Sequence, residues 1–218
     1  EEAAKTFDTL SKKIFQNRDL GARFKTVYDS RDSLNLDDED QWFLQNVYWS
    51  FEGNGAFLDA DQQKELLAID AALIGKAKEF TDNIDNSQKQ QAIHITDPAL
   101  LAGVPDANIA AFKQQAQEAG KSGWLFIPER LLVDSLLDVA ENRSFREQIF
   151  KCLEKLGTEP PFDNRPVIEA MSGLRDKRSR LLGYDNYAEH HLSATMAGSV
   201  YNVMDLFKKS VTHLLPQY

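Results

Sequence analysis

Residues 59–84, DADQQKELLAIDAALIGKAKEFTDNI, carry the pattern that decides the fold. The acidic residues at the start of this stretch suit the positive end of a helix dipole. Apolar residues then follow in steps of 3, 4, 4, 3 and 4: Leu66, Ile69, Leu73, Ala77, Phe80 and Ile84. Such steps place one apolar stripe along an α-helix. The stretch therefore predicts one long amphipathic helix with a buried face.

The same helical spacing recurs on both sides of this segment. Before it, an acidic run, Asp37–Asp40, precedes apolar residues at i, i+3, i+4 and i+7, and Gly53 and Gly55 end that helix. After it, Asp106 and Asp163 are predicted to cap helices, and Pro128 is predicted to lie in a first helical turn. Further helices are expected at about 106–119, at 163–182 (ended by Gly183), from Asp185 or Asn186, and at about 199–215. Between Pro128 and Gly157, two helical stripes are expected to meet at the junction Asn142-Arg143: Leu132, Leu136 and Val139, then Phe145, Ile149, Leu153 and Leu156.

Two short apolar runs interrupt the helical pattern. Residues 91–96 (QAIHIT) and 124–127 (WLFI) are rich in strand-forming side chains and are bounded by turn residues. The predicted fold is mainly α, a multi-helix lobe with at most a small two-stranded β element at these two runs. Residues 1–218 are expected to form one lobe, with a helical part at about 1–85, a mixed part at 86–127 and a helical part at 128–218.

Composition excludes several classes of partner. Lys and Arg number 25 against 34 Asp and Glu, which gives a formal net charge of −9. This balance argues against a general nucleic-acid binder and against attraction to an anionic membrane. No apolar run approaches the roughly 20 residues that span a bilayer. Cys152 is the single cysteine, so no internal disulfide is expected. Because the sequence opens at Glu1 rather than Met, we expect it to be an internal piece of a longer protein.

Histidine and cysteine residues show no spacing typical of a metal or nucleophile site. The histidines are His94, His190, His191 and His213, and none pairs at i and i+4 on a helix. Adjacent His190 and His191 point about 100° apart on a helix, which favours packing or surface roles. Cys152 shares an apolar face with Ile149 and Leu156, which predicts an inert core thiol.

Two further segments resemble binding motifs only superficially. The glycine-rich Glu52–Gly55 lacks the following Lys of a phosphate loop and is interpreted as a helix-ending turn. The basic cluster Arg175–Arg180 could hold a phosphate or carboxylate, but a solvated face with i,i+4 ion pairs is the favoured interpretation. The sequence therefore predicts no catalytic, cofactor-binding or metal-binding residue within the chain.

A series of ordered landmarks nevertheless resembles a known family. The landmarks are FKTVY at 24–28, GAFL at 55–58, LAGVP at 101–105, NRSFRE at 142–147, DN at 163–164, LR at 174–175, LLGYDNYAE at 181–189 and MA at 196–197. Their order and spacing resemble the amino-terminal half of the thimet oligopeptidase-like zinc metallopeptidases, which include oligopeptidase A and bacterial peptidyl-dipeptidase. Within the fourth landmark, Arg146 and Glu147 are interpreted either as ties to neighbouring segments or as solvated charge.

The resemblance implies an almost all-helical enzyme that hydrolyses short peptides in an enclosed channel. It implies zinc in the parent enzyme, held by an HExxH helix and a later Glu, none of which occurs in these 218 residues. We therefore expect the chain alone to bind no cofactor and to be inactive. The run RLLGYDNYAEHHL at 180–192 favours the peptidyl-dipeptidase branch. The resemblance is compatible with a cytoplasmic location, which we favour, and with an exported one.

Two other functions remain open from the sequence. A stand-alone helical interaction module would use Trp42, Trp49 and Trp124 as binding anchors. A catalytically inactive paralogue would use the same lobe to bind peptides. If the chain is instead a piece of a larger protein, the last helix is expected to expose an apolar stripe that invites self-association: Val203, Leu206, Phe207, Val211, Leu214 and Leu215.

Overall fold

The computed structural model describes residues 2–215, which are mainly α-helical as the sequence predicts. Within that range, ten α-helices are α1 Glu2–Phe15, α2 Arg18–Asp29, α3 Asp38–Gly53, α4 Ala60–Gln90, α5 Asp106–Glu118, α6 Arg130–Val139, α7 Arg143–Lys155, α8 Arg165–Leu181, α9 Tyr187–Ser193 and α10 Val200–Leu214. Short 3₁₀ turns lie at Arg31–Ser33 and Pro98–Leu101. Over the described residues, no helix combines the length and apolarity that crossing a membrane requires.

The two predicted strands form one antiparallel pair. β1 is Ile93–Ile95 and β2 is Trp124–Phe126, with His94 opposite Leu125. Ile95 and Phe126 are completely buried. Two strands alone are marginally stable in water, so the pair depends on the helices that its buried face contacts, chiefly α5.

The chain divides into two compact units. One contains Glu1–Leu73 and Ser172–Tyr218, and the other contains Ile74–Met171. The chain passes from the first unit to the second within α4 and returns within α8. The expected division at about residues 85 and 127 stays a prediction about domain organisation.

Aromatic packing organises the first unit. Phe51 is 2% exposed, and its ring centroid lies 5.1 Å from that of Phe15 and 5.3 Å from that of Phe24. Gly21 lies so close to Ala56 that an added Cβ would meet the alanine Cβ at 2.8 Å. A larger residue at position 21 would therefore separate α2 from the segment after α3. The buried apolar residues of this unit are Leu44, Phe51, Ala56, Leu66 and Ile69.

Three phenylalanine rings in contact form the centre of the second unit. Phe126 meets Phe112 edge to face at 5.5 Å and Phe145 at 6.1 Å, and all three are at most 1% exposed. The fully enclosed core also includes Ile95, Val133, Leu136 and Ile149. Because interiors pack at nearly crystalline density, this cluster fixes the positions of α5, α6, α7 and the β pair.

The structure corrects three details of the predicted helices. Asp106 is the first residue of α5 and makes no capping bond, because Pro105 occupies the cap position. Pro128 lies buried ahead of α6 instead of in its first turn. Val139, expected on the inner stripe of α6, is 43% exposed because it ends the helix, and Val133 faces the core instead.

Candidate functional site

Tyr184 anchors a polar cluster in the first unit. It follows Gly183, whose φ of +92° gives the left-handed turn that ends α8, as the sequence predicts. The Tyr184 amide donates to the Ser179 carbonyl oxygen at 3.0 Å, and its hydroxyl donates to Glu52 Oε2 at 2.7 Å. Asn186 then caps α9 by accepting from the Glu189 amide at 3.0 Å. This corner therefore fixes the phenol against the end of α3.

The environment keeps the Tyr184 phenol protonated. Burial, with the hydrogen bond to Glu52 and its negative charge, raises the pKa of Tyr184 to about 12. At neutral pH the phenol is a hydrogen-bond donor that is already committed to Glu52. A protonated phenol cannot take a proton from a substrate, so Tyr184 does not suit the role of a general base near pH 7.

Arg178 fastens α8 to α3 and α4 within the same unit. Its Nε donates to Asp70 Oδ1 at 2.6 Å and its Nη2 donates to the Gly53 carbonyl oxygen at 2.8 Å. Gly53 is the last residue of α3, where carbonyl groups lack helical partners and attract cations. The prediction of a solvated basic face is wrong for Arg178, because its side chain is only 22% exposed and its guanidinium is bonded to other helices.

The neighbouring basic residues do follow the solvated-face prediction. Arg180 pairs with Asp176 at 2.8 Å across one helical turn, and both side chains are well exposed. Lys177 lies 3.3 Å from Glu65, also in an exposed pair. Arg175 places its guanidinium over the Tyr187 ring, 5.4 Å from the centroid. The cluster thus combines one half-buried contact, made by Arg178, with several weak surface contacts.

Ser179 and His190 form a contact that could be mistaken for a catalytic pair. Ser179 Oγ lies 3.1 Å from His190 Nδ1, but its hydroxyl donates to the Arg175 carbonyl oxygen at 2.9 Å. A serine hydroxyl has one proton, so in this arrangement His190 Nδ1 carries hydrogen and donates to Ser179. Ser179 is completely buried, which denies a substrate access to its oxygen. The pair is therefore a packing contact. In an activated nucleophile the serine donates its proton to the histidine, whereas here the histidine donates to the serine.

His190 and His191 take the packing roles that their adjacency predicts. The His190 ring lies 4.6 Å from the Tyr184 ring, and the His191 ring stacks on Tyr187 at 5.5 Å. Burial, together with the nearby charges of Arg178 and His191, lowers the pKa of His190. Neutral His190 suits a half-buried position beside a guanidinium.

The described residues do not fit a zinc site. Over residues 2–215, no group of three or more His, Cys, Asp or Glu side chains is placed to hold a metal ion. His94 Nε2 lies 2.6 Å from the Ser122 carbonyl oxygen and is engaged as a hydrogen-bond donor there.

Cys152 lies in the second unit beside a shallow cavity of about 380 Å³. Its side chain is half-buried, whereas the sequence predicted a core position. Burial raises the pKa of the Cys152 thiol, and the positive charge of Lys155 opposes this only in part. At neutral pH the residue is a thiol, which is a poor nucleophile.

The joint between α6 and α7 separates the two interpretations of Arg146 and Glu147 in the NRSFRE landmark. Asn142 caps α7 by accepting from the Phe145 amide at 3.1 Å. Arg146 donates to the carbonyl oxygens of Ala140 at 2.6 Å and Glu141 at 2.8 Å, so it ties α7 to the preceding segment. Glu147, by contrast, pairs with exposed Lys151 and is solvated charge.

The central contacts of the polar cluster lie beyond what sequence reasoning found. Glu52 and Tyr184 are 132 residues apart, and Asp70 and Arg178 are 108 apart. No spacing rule for helices or turns relates residues at such separations. The sequence offered only an indirect signal for these contacts: Gly53 marks the end of one helix and Gly183 marks a tight corner after another, and both lie next to residues of the cluster.

Comparison with known proteins supports the resemblance seen in the landmarks. A model of Peptidase family M3 matches residues 136–218. Oligopeptidase A of Salmonella typhimurium is 26% identical over 212 residues, which cover 94% of this chain and 31% of that protein. Dipeptidyl carboxypeptidase of Escherichia coli is 25% identical over 190 residues, which cover 86% of this chain and 28% of that protein. The organellar oligopeptidase A of Arabidopsis thaliana is 24% identical over 204 residues, covering 90% of this chain and 26% of that protein.

These matches confirm that the chain is similar to the thimet oligopeptidase-like peptidases. The chain spans less than one third of the length of the relatives it matches. Relatives named oligopeptidase A and dipeptidyl carboxypeptidase are nearly equally similar, at 26% and 25% identity. The expectation of a peptidyl-dipeptidase branch therefore stays a prediction.

Proposed function

We propose that this chain is a helical, non-catalytic part of a zinc-dependent oligopeptidase or peptidyl-dipeptidase that hydrolyses short peptides. The observation that carries the proposal is the extent of similarity: relatives of both names align over 94% and 86% of the chain. Alignment over such lengths takes in residues of both units. In this proposal, the zinc of the parent protein is held by an HExxH helix, a motif that these 218 residues do not contain.

In this proposal, the helices of the chain contribute to the wall of a channel that admits short peptides only. Such a role requires a rigid helical scaffold and no reactive side chain. The polar cluster supports it, because Tyr184, Arg178 and Ser179 each donate to a partner within their own unit. Groups engaged in this way stabilise a scaffold and leave little capacity for proton transfer.

A chimera with a relative tests the proposal. The segment of Salmonella oligopeptidase A that aligns with this chain would be replaced by residues 1–218, and hydrolysis of a short fluorogenic peptide would be measured with and without a chelator. The chimera is expected to cleave the peptide in a chelator-sensitive way, while this chain alone and the relative lacking the segment do not. A chimera that melts cooperatively yet cleaves nothing would contradict the scaffold role. Chelator-sensitive cleavage by this chain alone would contradict the non-catalytic assignment.

A second candidate, a stand-alone module or inactive paralogue that binds peptides, is favoured by one exposed pair. Trp42 and Phe43 on α3 are 67% and 60% exposed, and adjacent exposed aromatic residues are typical binding anchors. In this case Trp42→Ala would weaken binding of short peptides to the isolated chain, measured by calorimetry. Leu131→Ala, at a residue 78% exposed on α6, is the matched control and should leave binding unchanged.

A further inference from the structure

Two glycines lie inside helices at positions where packing does not require a glycine. Gly75 belongs to α4 and Gly173 to α8, both are exposed, and neither has a positive φ. Apart from the adjoining backbone of its own helix, a Cβ added at either position would meet no atom within 4 Å. Gly21, by contrast, is a helical glycine that the close approach of Ala56 requires. Because glycine weakens a helix relative to alanine, Gly75 and Gly173 mark weak points that no contact compensates.

These two weak points coincide with the two places where the chain passes between its units. The passage in α4 falls after Leu73 and the passage in α8 falls after Met171. Gly75 and Gly173 are each the second residue beyond it. In α8, Ser172 directly precedes the glycine, and Gly/Ser pairs are among the few features at which helices kink. Each helical link between the units therefore carries its own weak point.

On either side of the weak points, contacts inside a single unit fasten the two helices. In the first unit, Arg178 of α8 bonds Asp70 of α4 at 2.6 Å. In the second unit, Asn164 precedes α8 and is 3% exposed. Its Nδ2 donates to the Phe80 carbonyl oxygen of α4 at 3.1 Å, and its Oδ1 accepts from Asn83 Nδ2 at 2.9 Å. The residues around the two glycines lie between these fastened parts.

The stretches between the fastened parts are thinly packed. In α4, every residue between Ile69 and Ser87 is half-buried or exposed, and Ile74, next to the glycine, is 64% exposed. In α8, every residue between Val167 and Ser179 is likewise half-buried or exposed. Helical segments with few buried contacts open at a lower free energy than the core of a fold.

We propose that Gly75 and Gly173 are the two points of one hinge, at which α4 and α8 bend together while each unit keeps its internal packing. Glycine tolerates the changes in φ and ψ that a bend requires. Because both helices join the same two units, neither can bend at its glycine while the other stays straight. The contacts of Arg178 and Asn164 survive the bend, since each lies within one unit. The motion therefore leaves intact the packing on which the proposed scaffold role depends.

Hydrogen exchange of the 218-residue chain tests whether the two bends are coupled. Gly75→Ala is expected to slow exchange of amides 76–79, whose hydrogen bonds span the glycine, about four- to fivefold. In a shared hinge it also slows amides 174–177 of α8 by a similar factor, and Gly173→Ala has the reciprocal effect. Gly53→Ala is the matched control, because it makes the same change at an open position at the end of α3. This control should leave both segments unchanged.

Distances between spin labels test the bending directly. In a Cys152→Ser background, one label is attached at Val27→Cys of the first unit and one at Leu131→Cys of the second, both at exposed positions. The distribution of their separations is expected to be broader than for Leu131→Cys with Phe150→Cys, a pair within the second unit. Replacing both hinge glycines by alanine should narrow the first distribution and leave the second unchanged.

Three results would overturn the proposal. The first is a distribution across the units that is as narrow as the one within a unit. The second is a broad distribution that the two alanine substitutions leave unaltered. The third is slower exchange in α4 of Gly75→Ala without any change in α8, which would make each glycine an independent weak point. Circular dichroism must show wild-type helicity for all variants, as expected where an added Cβ meets open space.

Discussion

Removing one hydroxyl group, in Tyr184→Phe, is expected to destabilise the first unit by about 1–2 kcal/mol. The hydroxyl donates to the Glu52 carboxylate at 2.7 Å, and bonds to charged groups contribute about 1.5–3 kcal/mol when shielded from water. Solvent reaches part of this site, so the lower portion of that range applies. The phenylalanine ring keeps the contact with His190, which confines the loss to the hydrogen bond.

The same substitution should remove a component of the alkaline pH dependence. Folding raises the pKa of Tyr184 to about 12, against about 10 for an unperturbed tyrosine. The neutral phenol is thus favoured in the folded state, so its stabilisation is fully present below pH 10 and is lost as pH rises through 12. After allowance for solvent screening, this component is about 1 kcal/mol.

Urea unfolding followed by circular dichroism at pH 7 and near pH 11 measures both effects. Tyr187→Phe is the matched control, because the Tyr187 hydroxyl makes no hydrogen bond within the described part of the chain. We expect Tyr187→Phe to match wild type at both pH values, whereas Tyr184→Phe is less stable at pH 7 and loses less on going to pH 11. If Tyr184→Phe matches wild type at pH 7 and shows the same alkaline loss, the assigned hydrogen bond does not stabilise the fold.

Three further substitutions or treatments give distinct outcomes. Arg178→Met should lower the free energy of unfolding by about 2–3 kcal/mol, because it leaves a carboxylate and a helix-ending carbonyl without their donor. Arg180→Met removes an exposed ion pair and should leave the free energy of unfolding close to that of wild type; urea unfolding compares the two. Phe126→Ala should cost about 3–5 kcal/mol and increase binding of a hydrophobic dye, and unaltered stability would contradict the phenylalanine-centred core. Cys152 should react with a disulfide reagent at pH 7.5 more slowly than an unfolded thiol, and a rate that does not rise in urea would show that burial does not protect it.

Local features of the sequence predicted most of the fold. The steps of the apolar residues in α4, the cap at Asn186 and the left-handed turn at Gly183 depend on neighbours within a few residues. The two short strands were found because turn residues bound them, although the paired strands, Ile93–Ile95 and Trp124–Phe126, are shorter than the runs in the sequence. Errors arose at helix ends, where a proline can replace a side-chain cap and the last residue turns away from the core.

Long-range polar contacts could not be predicted in the same way. Arg178 was interpreted as one of several solvated cations because its spacing to Arg175 and Arg180 is ordinary for a helix surface. Its actual partners, Asp70 and the Gly53 carbonyl oxygen, come from other helices, and their approach depends on how the unit packs. The apolar face of α10, in contrast, was predictable because it follows from the spacing of residues within one helix.

The polar cluster is best understood by counting its protons and lone pairs. A catalytic group needs a proton or lone pair that is free and directed at accessible space. Ser179 donates its only side-chain proton to a carbonyl oxygen and is buried, and Tyr184 donates its proton to Glu52. Arg178 uses two of its donors on groups of its own unit, and the lowered pKa of His190 keeps that ring neutral beside it. Substitutions in this cluster should therefore change mainly the free energy of unfolding.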